Sequence, residues 1–467
     1  MTDRSVEAGF TGELLGPNDL GYDAARRLWN AMADKRPAVI ARCRSTTDVA
    51  AALAHARNEG LEVAVRGGGH SVAGLSSTDG GMMIDLQPMN RVVVDPESRR
   101  ARVQGGTLLR DLDHTTHAYG LATTGGMVHH TGVAGLTLGG GFGWLARVHG
   151  LACDNLVSAE VVTADGEVVR ASATENDDLF WGLRGGGGNF GIVTEFEFQL
   201  HPIGPVLSVQ QRYSARHARK VVGVFTEFMD AAPPELCALV GIGPGRGSGT
   251  LDSDGESSRE VYVWYTYVGQ DLDVGRRLGA SLQGVARTVV EQVDVMRYPD
   301  VQAATGDASG PGRRHYWKGS LMWDLSDAFL DAFVERGLLP GGGCGIEMFS
   351  LGGAIADVGE DETAYSNRGA TFDLLAAATW TDPADDKRNI SLTRENWSAL
   401  TPFARGAVYV NDLGADTDER VRDAYGSNKF TRLAALKERW DPNNAFRLNA
   451  NIAPSGSGAP TRQAQDA

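Results

Sequence analysis

Short apolar runs that keep changing period dominate the first 200 residues. After Thr46-Thr47-Asp48, the apolar positions Val49, Ala52, Leu53 and Ala56 recur at helical spacing, and Gly60 supplies the stop. Leu61, Val63 and Val65 then alternate as a strand does, and this strand runs straight into Arg66-Gly67-Gly68-Gly69-His70-Ser71. A short strand is predicted over 83–86, followed by a hairpin of 92–94 and 101–103 turning at Asp95-Pro96-Glu97-Ser98. A helix is predicted over 107–117. A second hairpin turns at Ala164-Asp165-Gly166, and a short helix over 177–183 precedes an alternating strand over 192–200. This mixture is α+β and not a regular βαβ alternation.

Beyond His201-Pro202-Ile203-Gly204-Pro205 the texture changes. Strands lengthen, as over 261–267 and 368–380, and amphipathic helices are predicted near 216–230, 272–285, 325–336 and 388–400. Long strands alternating with such helices imply one antiparallel sheet covered on one face, with a boundary near residue 205. The Gly-, Ser- and Asp-rich stretch 247–257 reads as an exposed loop. A C-terminal helix over 431–440 ends at Asp441-Pro442-Asn443-Asn444, and the polar tail from Ser455 reads as disordered.

Composition adds one positive signal and several exclusions. Glycine supplies 60 of 467 residues, nearly twice the usual ~7%. No Gly-X-Y period accompanies it, so the excess serves local backbone geometry. A formal net charge of −15 without a basic patch argues against nucleic acid as a partner. No apolar run approaches the ~18 residues of a membrane span, and the acidic N-terminus lacks a signal peptide's basic segment and apolar core. Cys43, Cys153, Cys237 and Cys344 form no CxxC pair, which gives no zinc signature and favours reduced thiols in the cytoplasm. No metal site is expected.

The glycines cluster at 67–69, 139–143, 185–191 and 341–345. Three consecutive glycines after a strand let backbone N–H groups converge on an anion, which suits a pyrophosphate. The first cluster is neither a P-loop, since no Gly-Lys-Ser/Thr follows, nor a dinucleotide fingerprint opening a long helix. The second, Thr131 to Trp144, is rich in glycine and has no charge, as a segment lying against a flat apolar ligand should be. Three such loops in one half of the chain argue for one large phosphate-bearing cofactor.

The ordered set of motifs resembles the berberine bridge enzyme-like FAD-linked oxidases of the vanillyl-alcohol oxidase superfamily. The set comprises 66–71, 131–143, Asp154-Asn155, 184–194, Tyr409-Val410-Asn411 and a C-terminal signature. That signature runs through Arg432-Leu433, Lys437, Asp441-Pro442-Asn443 and 446–452, so the resemblance covers nearly the whole chain. It implies a PCMH-type FAD-binding domain over 36–205, a substrate domain of antiparallel sheet and helices over 206–424, and a segment over 425–455 completing the first.

The resemblance further implies FAD held by Arg66, Gly67, Gly68, Gly69, Ser71, Val128, Thr131, Gly132, Gly135, Leu136, Thr137, Gly140, Gly141, Gly143, Asp154, Asn155, Val193 and Asn449. His70 matches the histidine bonded to the flavin 8α-methyl carbon. Many members add a cysteine tether at the position of Val128, and valine forms no thioether, so a single bond through His70 is expected. Thr131 and Leu136 are expected to face the flavin ring. On the substrate side the candidates are Tyr409, Asn411, Arg368 and His130. His129 and His130 read equally as bases or surface histidines. Tyr409 is a base only if a cation such as Arg368 lowers its pKa, and is otherwise a core aromatic. Where many relatives follow the asparagine with a second tyrosine, this chain has Asp412. The implied partners are a small organic substrate and O₂. An oxidase, a dehydrogenase with another acceptor, an oxidative cyclase and a non-catalytic flavin carrier all stay open.

Overall fold

The computed structural model describes residues 9–244, 259–304, 310–414, 416 and 418–455, so the loop predicted over 247–257 and the tail beyond residue 455 lie outside the described residues. The predicted elements of the first half are present. Ser45 caps the helix Thr46–Asn58 by accepting from the Asp48 N–H, one residue earlier than the predicted start. Strands Val39–Arg42 and Val63–Arg66 both pair in parallel with Met82–Asp85, which lies between them. A second sheet is fully antiparallel and joins both predicted hairpins through Ile192–Gln199.

The second half is built on a seven-stranded antiparallel sheet in the order Val290–Met296, Val206–Ser214, Arg259–Tyr267, Leu236–Pro244, Cys344–Ser350, Phe372–Trp380, Arg314–Met322. The four predicted helices are Ala218–Asp230, Leu272–Gln283, Asp327–Leu338 and Asp386–Leu400. The period-2 alternation of the strands divides their side chains between two faces. Val261, Val263 and Tyr265 pack in a core with helix residues Val221, Phe225 and Phe329, as do Phe372, Leu374 and Ala376. The intervening Tyr262, Trp264, Asp373, Leu375 and Ala377 line a cavity on the opposite face.

After this sheet the chain returns to the first half. Leu433 and Leu436 of the helix Ser427–Trp440 join the core that contains Leu183 and Phe190, and Ile452 follows them. Buried Lys437 donates to Asp441 at 2.6 Å and to the carbonyls of Asn189 and Phe446. The third glycine loop is thereby fastened to the C-terminal segment. The first half also begins earlier than residue 36: Glu13–Leu15 pairs with Val39–Arg42, and Asn30 donates to the carbonyls of Val72 and His315. Residues 10–35 carry little apolar periodicity, which hid this strap from the sequence pattern. No helix among the described residues is long and apolar enough to cross a membrane.

The two halves also meet at Asp113, fully buried in the helix Leu109–His117, where Gln302 donates to it at 3.4 Å. Burial pushes its carboxyl up to about 8. The folded state therefore retains a proton that the unfolded chain releases near pH 4, and this contribution to stability is lost as pH rises toward 8. The Asp113→Asn variant lacks that loss. Its melting temperature relative to the unmodified protein is expected to rise between about pH 4 and pH 8. A pH-independent difference in calorimetry would refute the assignment.

Candidate active site

A cavity of about 1070 Å³ lies between the glycine loops and the large sheet. It is at the top of the ~300–1,000 Å³ range of ligand sites, which leaves room for a dinucleotide and a small second molecule. Gly67, Gly68, Gly69, His70 and Ser71 form one wall. The second loop adds Val128, Thr131, Gly132, Gly135 and Leu136, and the third contributes Val193, with Asn449 from the C-terminal segment. The stretch predicted as a loop is partly helical, over Val133–Leu138. The first two loops touch backbone to backbone: a Cβ on Gly68 would collide with Gly132, and one on Gly132 with Gly68. The Oδ1 atoms of Asn449 and Asn451 are buried at the cavity without a hydrogen-bond partner. Orphaned polar groups on a glycine-walled cleft fit a large polar ligand such as FAD.

Several predicted cofactor residues stand behind this wall instead. Arg66 is buried and donates to the Ala25 carbonyl. Thr137 is buried within the short helix. Gly140, with φ +123°, packs on Tyr365, while Gly141 lies against Ala152 and Gly143 against the carbonyls of Gly125 and Gly126. Asp154 holds Arg368 in a bidentate pair at 2.6 and 3.0 Å, and Asn155 donates to the carbonyls of His149 and Leu151. These residues shape the loops without reaching the cavity.

The substrate-side expectations need more correction. Arg368 lies in the turn before the strand, which starts only at Phe372, and is 2% exposed. Its guanidinium is consumed by Asp154, Thr363 and the Ile355 carbonyl, and stacks over Tyr365, not Tyr409. Tyr409 precedes a turn of 3₁₀ helix, Val410–Asp412, and is not on a strand. Its hydroxyl accepts the Gly141 N–H at 2.9 Å and the Asn411 amide at 2.7 Å, and burial pushes its pKa well up. In this geometry the Tyr409 hydroxyl serves as a hydrogen-bond acceptor. Together with Asn411, which also donates to the Leu136 carbonyl at 3.1 Å, it clamps the second glycine loop at the cavity edge.

His130 does not line the cavity but bonds to a residue that does. Its Nδ1 lies 2.7 Å from His70 Nε2. Trp29 stacks on the His70 ring at 4.6 Å and on His315 at 3.8 Å, filling the space between the two halves. Burial, then the nearby His130 and His315, lowers the His70 pKa to about 3, so its ring is neutral at physiological pH. No cysteine lines the cavity among the described residues, and all four thiols are buried.

The group that sequence reasoning missed is Asp373, which lines the cavity beside Asp412. Asp373 and Asp412 are 4% and 9% exposed, line the cavity and interact directly. Asp373 Oδ1 and Asp412 Oδ2 have no hydrogen-bond partner. Burial pushes Asp412 up to about 7, while burial and the neighbouring Asp412 charge hold Asp373 well above the usual carboxylate range. The pair therefore carries one proton between two carboxyls above about pH 7 and takes up a second below it. Glu347, which accepts from the Tyr262 hydroxyl at 2.9 Å, stands beside them. A lone charged residue in the strand Phe372–Trp380 was the available signal.

Comparisons with known proteins identify the family. Residues 37–172 match the FAD binding domain family and residues 408–453 the berberine and berberine-like family. The chain is 32% identical to (R)-6-hydroxynicotine oxidase of Paenarthrobacter nicotinovorans over 96% of its length and 97% of that protein's. A crystal structure of 6-hydroxy-D-nicotine oxidase from Arthrobacter nicotinovorans superposes with a TM-score of 0.84 at 30% identity, covering 95% of this chain and 98% of that one. Glucooligosaccharide oxidase from Acremonium strictum, whose FAD is 6-S-cysteinyl, 8α-N1-histidyl, superposes with a TM-score of 0.82 at 25% identity, covering 95% and 97%. With its glycine-walled cavity, its C-terminal signature and relatives matched end to end, the chain belongs to the berberine-like family of FAD-linked oxidoreductases.

Proposed function

We propose that the protein oxidises a small organic substrate by two electrons and returns them to O₂ as hydrogen peroxide, with FAD tethered through His70 alone. The observation that carries this reading is the pairing, across one cavity, of a neutral buried histidine with a half-protonated carboxyl pair. FAD, when bound, supplies the hydride acceptor. The glycine loops and Asn449 line the cavity that would hold it, and Val128, where the resemblance implies a second tether, offers no thiol.

The chain's remaining task is proton management. The Asp373–Asp412 pair takes the O–H or N–H proton as the adjacent C–H leaves as hydride. Tyr262, Trp264, Trp317 and Phe349 line the cavity and offer aromatic surface to the substrate body. A hydroxylated ring, an amine or a sugar fits that description, and peroxide release from a panel of alcohols, sugars, amines and phenols identifies which.

Acid precipitation tests the tether. The unmodified protein is expected to keep its flavin in the pellet, whereas His70→Ala should release all of it while still binding FAD reversibly. Flavin found wholly in the supernatant of the unmodified protein would refute the single-histidine linkage.

A further inference from the structure

We propose that a second copy of this chain docks on the edge strand Val290–Met296, pairing antiparallel with the same strand about a twofold axis at Val293.

Large apolar side chains that stand well exposed are few among the described residues, and most of them gather here. Val289, Val290, Val293 and Val295 are each 44–58% exposed, and the others are Leu20, Tyr119 and Val168. Val293 and Val295 lie opposite Val209 and Leu207, so the core beneath the helices runs out to the sheet edge without being sealed. The opposite edge is sealed. There the strand Arg314–Met322 donates the Leu321 N–H to the Ala407 carbonyl, and its Gly319 carbonyl accepts from Arg420 and Trp397. An unpaired strand is normally blunted by lysine, proline or a bulge. Val290–Met296 contains neither residue, and its register with Val206–Ser214 is unbroken.

The strand's own sequence selects the occupant. Its two carboxylates are already engaged within the chain: Glu291 accepts from Gln211 at 3.0 Å and from Gln283 at 2.8 Å, and Asp294 accepts from Gln292 at 2.6 Å. A twofold axis at Val293 sets that valine against its own copy and Val290 against the partner's Met296. Gln292 then faces the partner's Asp294 and can donate across the interface, while Glu291 faces the partner's Val295, so no like charges meet. An axis at Asp294 would oppose two carboxylates, and one at Gln292 would set Val290 against a carboxylate.

A seven-residue edge is narrow, about 23 Å long. The helix Leu272–Gln283 broadens it, because Val274 and Leu278 on the same side of the sheet are only partly buried. That moves the contact toward the ~1,000 Å² that a specific dimer needs. Gln210 and Arg212 of the adjacent strand line the cavity, so a single strand separates the partner from its rim.

Sedimentation velocity of the holoenzyme from nanomolar to high micromolar concentration is expected to show a monomer–dimer equilibrium. Val293→Lys puts two ammonium groups on the axis and should raise the dimer dissociation constant by on the order of 10²-fold, with flavin absorbance and melting temperature retained. Val293→Cys reads the register. Directly opposed residues of an antiparallel pair have Cα atoms about 4.5 or 5.5 Å apart, within disulfide reach, whereas the two copies of residue 292 stand more than ~7 Å apart. Under mild oxidation Val293→Cys should give a dimer band on non-reducing electrophoresis and Gln292→Cys should not; the four native thiols are buried and do not compete. A monomer at every concentration would overturn the proposal. So would a dimer that Val293→Lys leaves intact, or a disulfide that forms as readily through Gln292→Cys. Should the lysine variant fail to fold, the Val293→Cys cross-link decides alone.

Discussion

Replacing both Asp373 and Asp412 with asparagine is expected to lower kcat by ~10²–10⁴-fold, the range a positioned proton acceptor contributes. Flavin content and absorbance should stay intact, because neither residue belongs to the glycine-loop wall. In the unmodified protein kcat/KM should fall as pH drops below about 7, where the pair takes up its second proton. The Asp412→Asn variant keeps one carboxyl and loses the neighbouring negative charge that raises Asp373. Burial alone still holds Asp373 above the usual carboxylate range, so the residual activity of this variant should also fall on acidification. Activity of the double variant within threefold of the unmodified protein would eliminate the pair as the base.

The largest expected effect on stability comes from Asp441→Ala. The ion pair of Lys437 and Asp441 has no exposure, and Asp441 also accepts the N–H groups of Ala445 and Phe446 at 2.8 Å. Truncation leaves a buried ammonium facing only two carbonyls, a loss of ~3–5 kcal/mol. The urea midpoint should fall with an unchanged m-value. Because Lys437 also holds the Asn189 carbonyl beside Gly187 and Gly188, reversible FAD affinity should fall with it. Replacing both members of the pair with apolar residues should recover much of the stability. A loss below about 1 kcal/mol in Asp441→Ala would show that water reaches the pair.

The sequence exposed what short-range periodicity and glycine spacing encode. The helices at 46–58 and 218–230, both hairpins and the three glycine loops were legible because each is set by neighbours within a few residues. Roles set by distant partners were not. Arg368 reads from sequence as a substrate-side candidate, yet its ion pair lies with Asp154, more than two hundred residues away. Tyr409 reads from sequence as a base or a core aromatic, and the Gly141 N–H that engages its hydroxyl is also more than two hundred residues away. Trp29, between His70 and His315, sits in a segment with no motif. Asp412 was visible as a departure from the resembling pattern, but its meaning required Asp373, brought opposite it by pairing of the strands Arg314–Met322 and Phe372–Trp380 beside the turn at Val410–Asp412.

The two-faced sheet has an evolutionary consequence. Along Phe372–Trp380, alternate residues meet either helices or the cavity, so a change at Leu375 or Ala377 reshapes the recognised molecule without disturbing Leu374 or Ala376 in the core. Drift in substrate range and maintenance of the scaffold are thus assigned to residues of opposite parity on the same strands. A lineage built on this sheet is free to diversify its chemistry one strand position at a time while the folded state stays under separate selection.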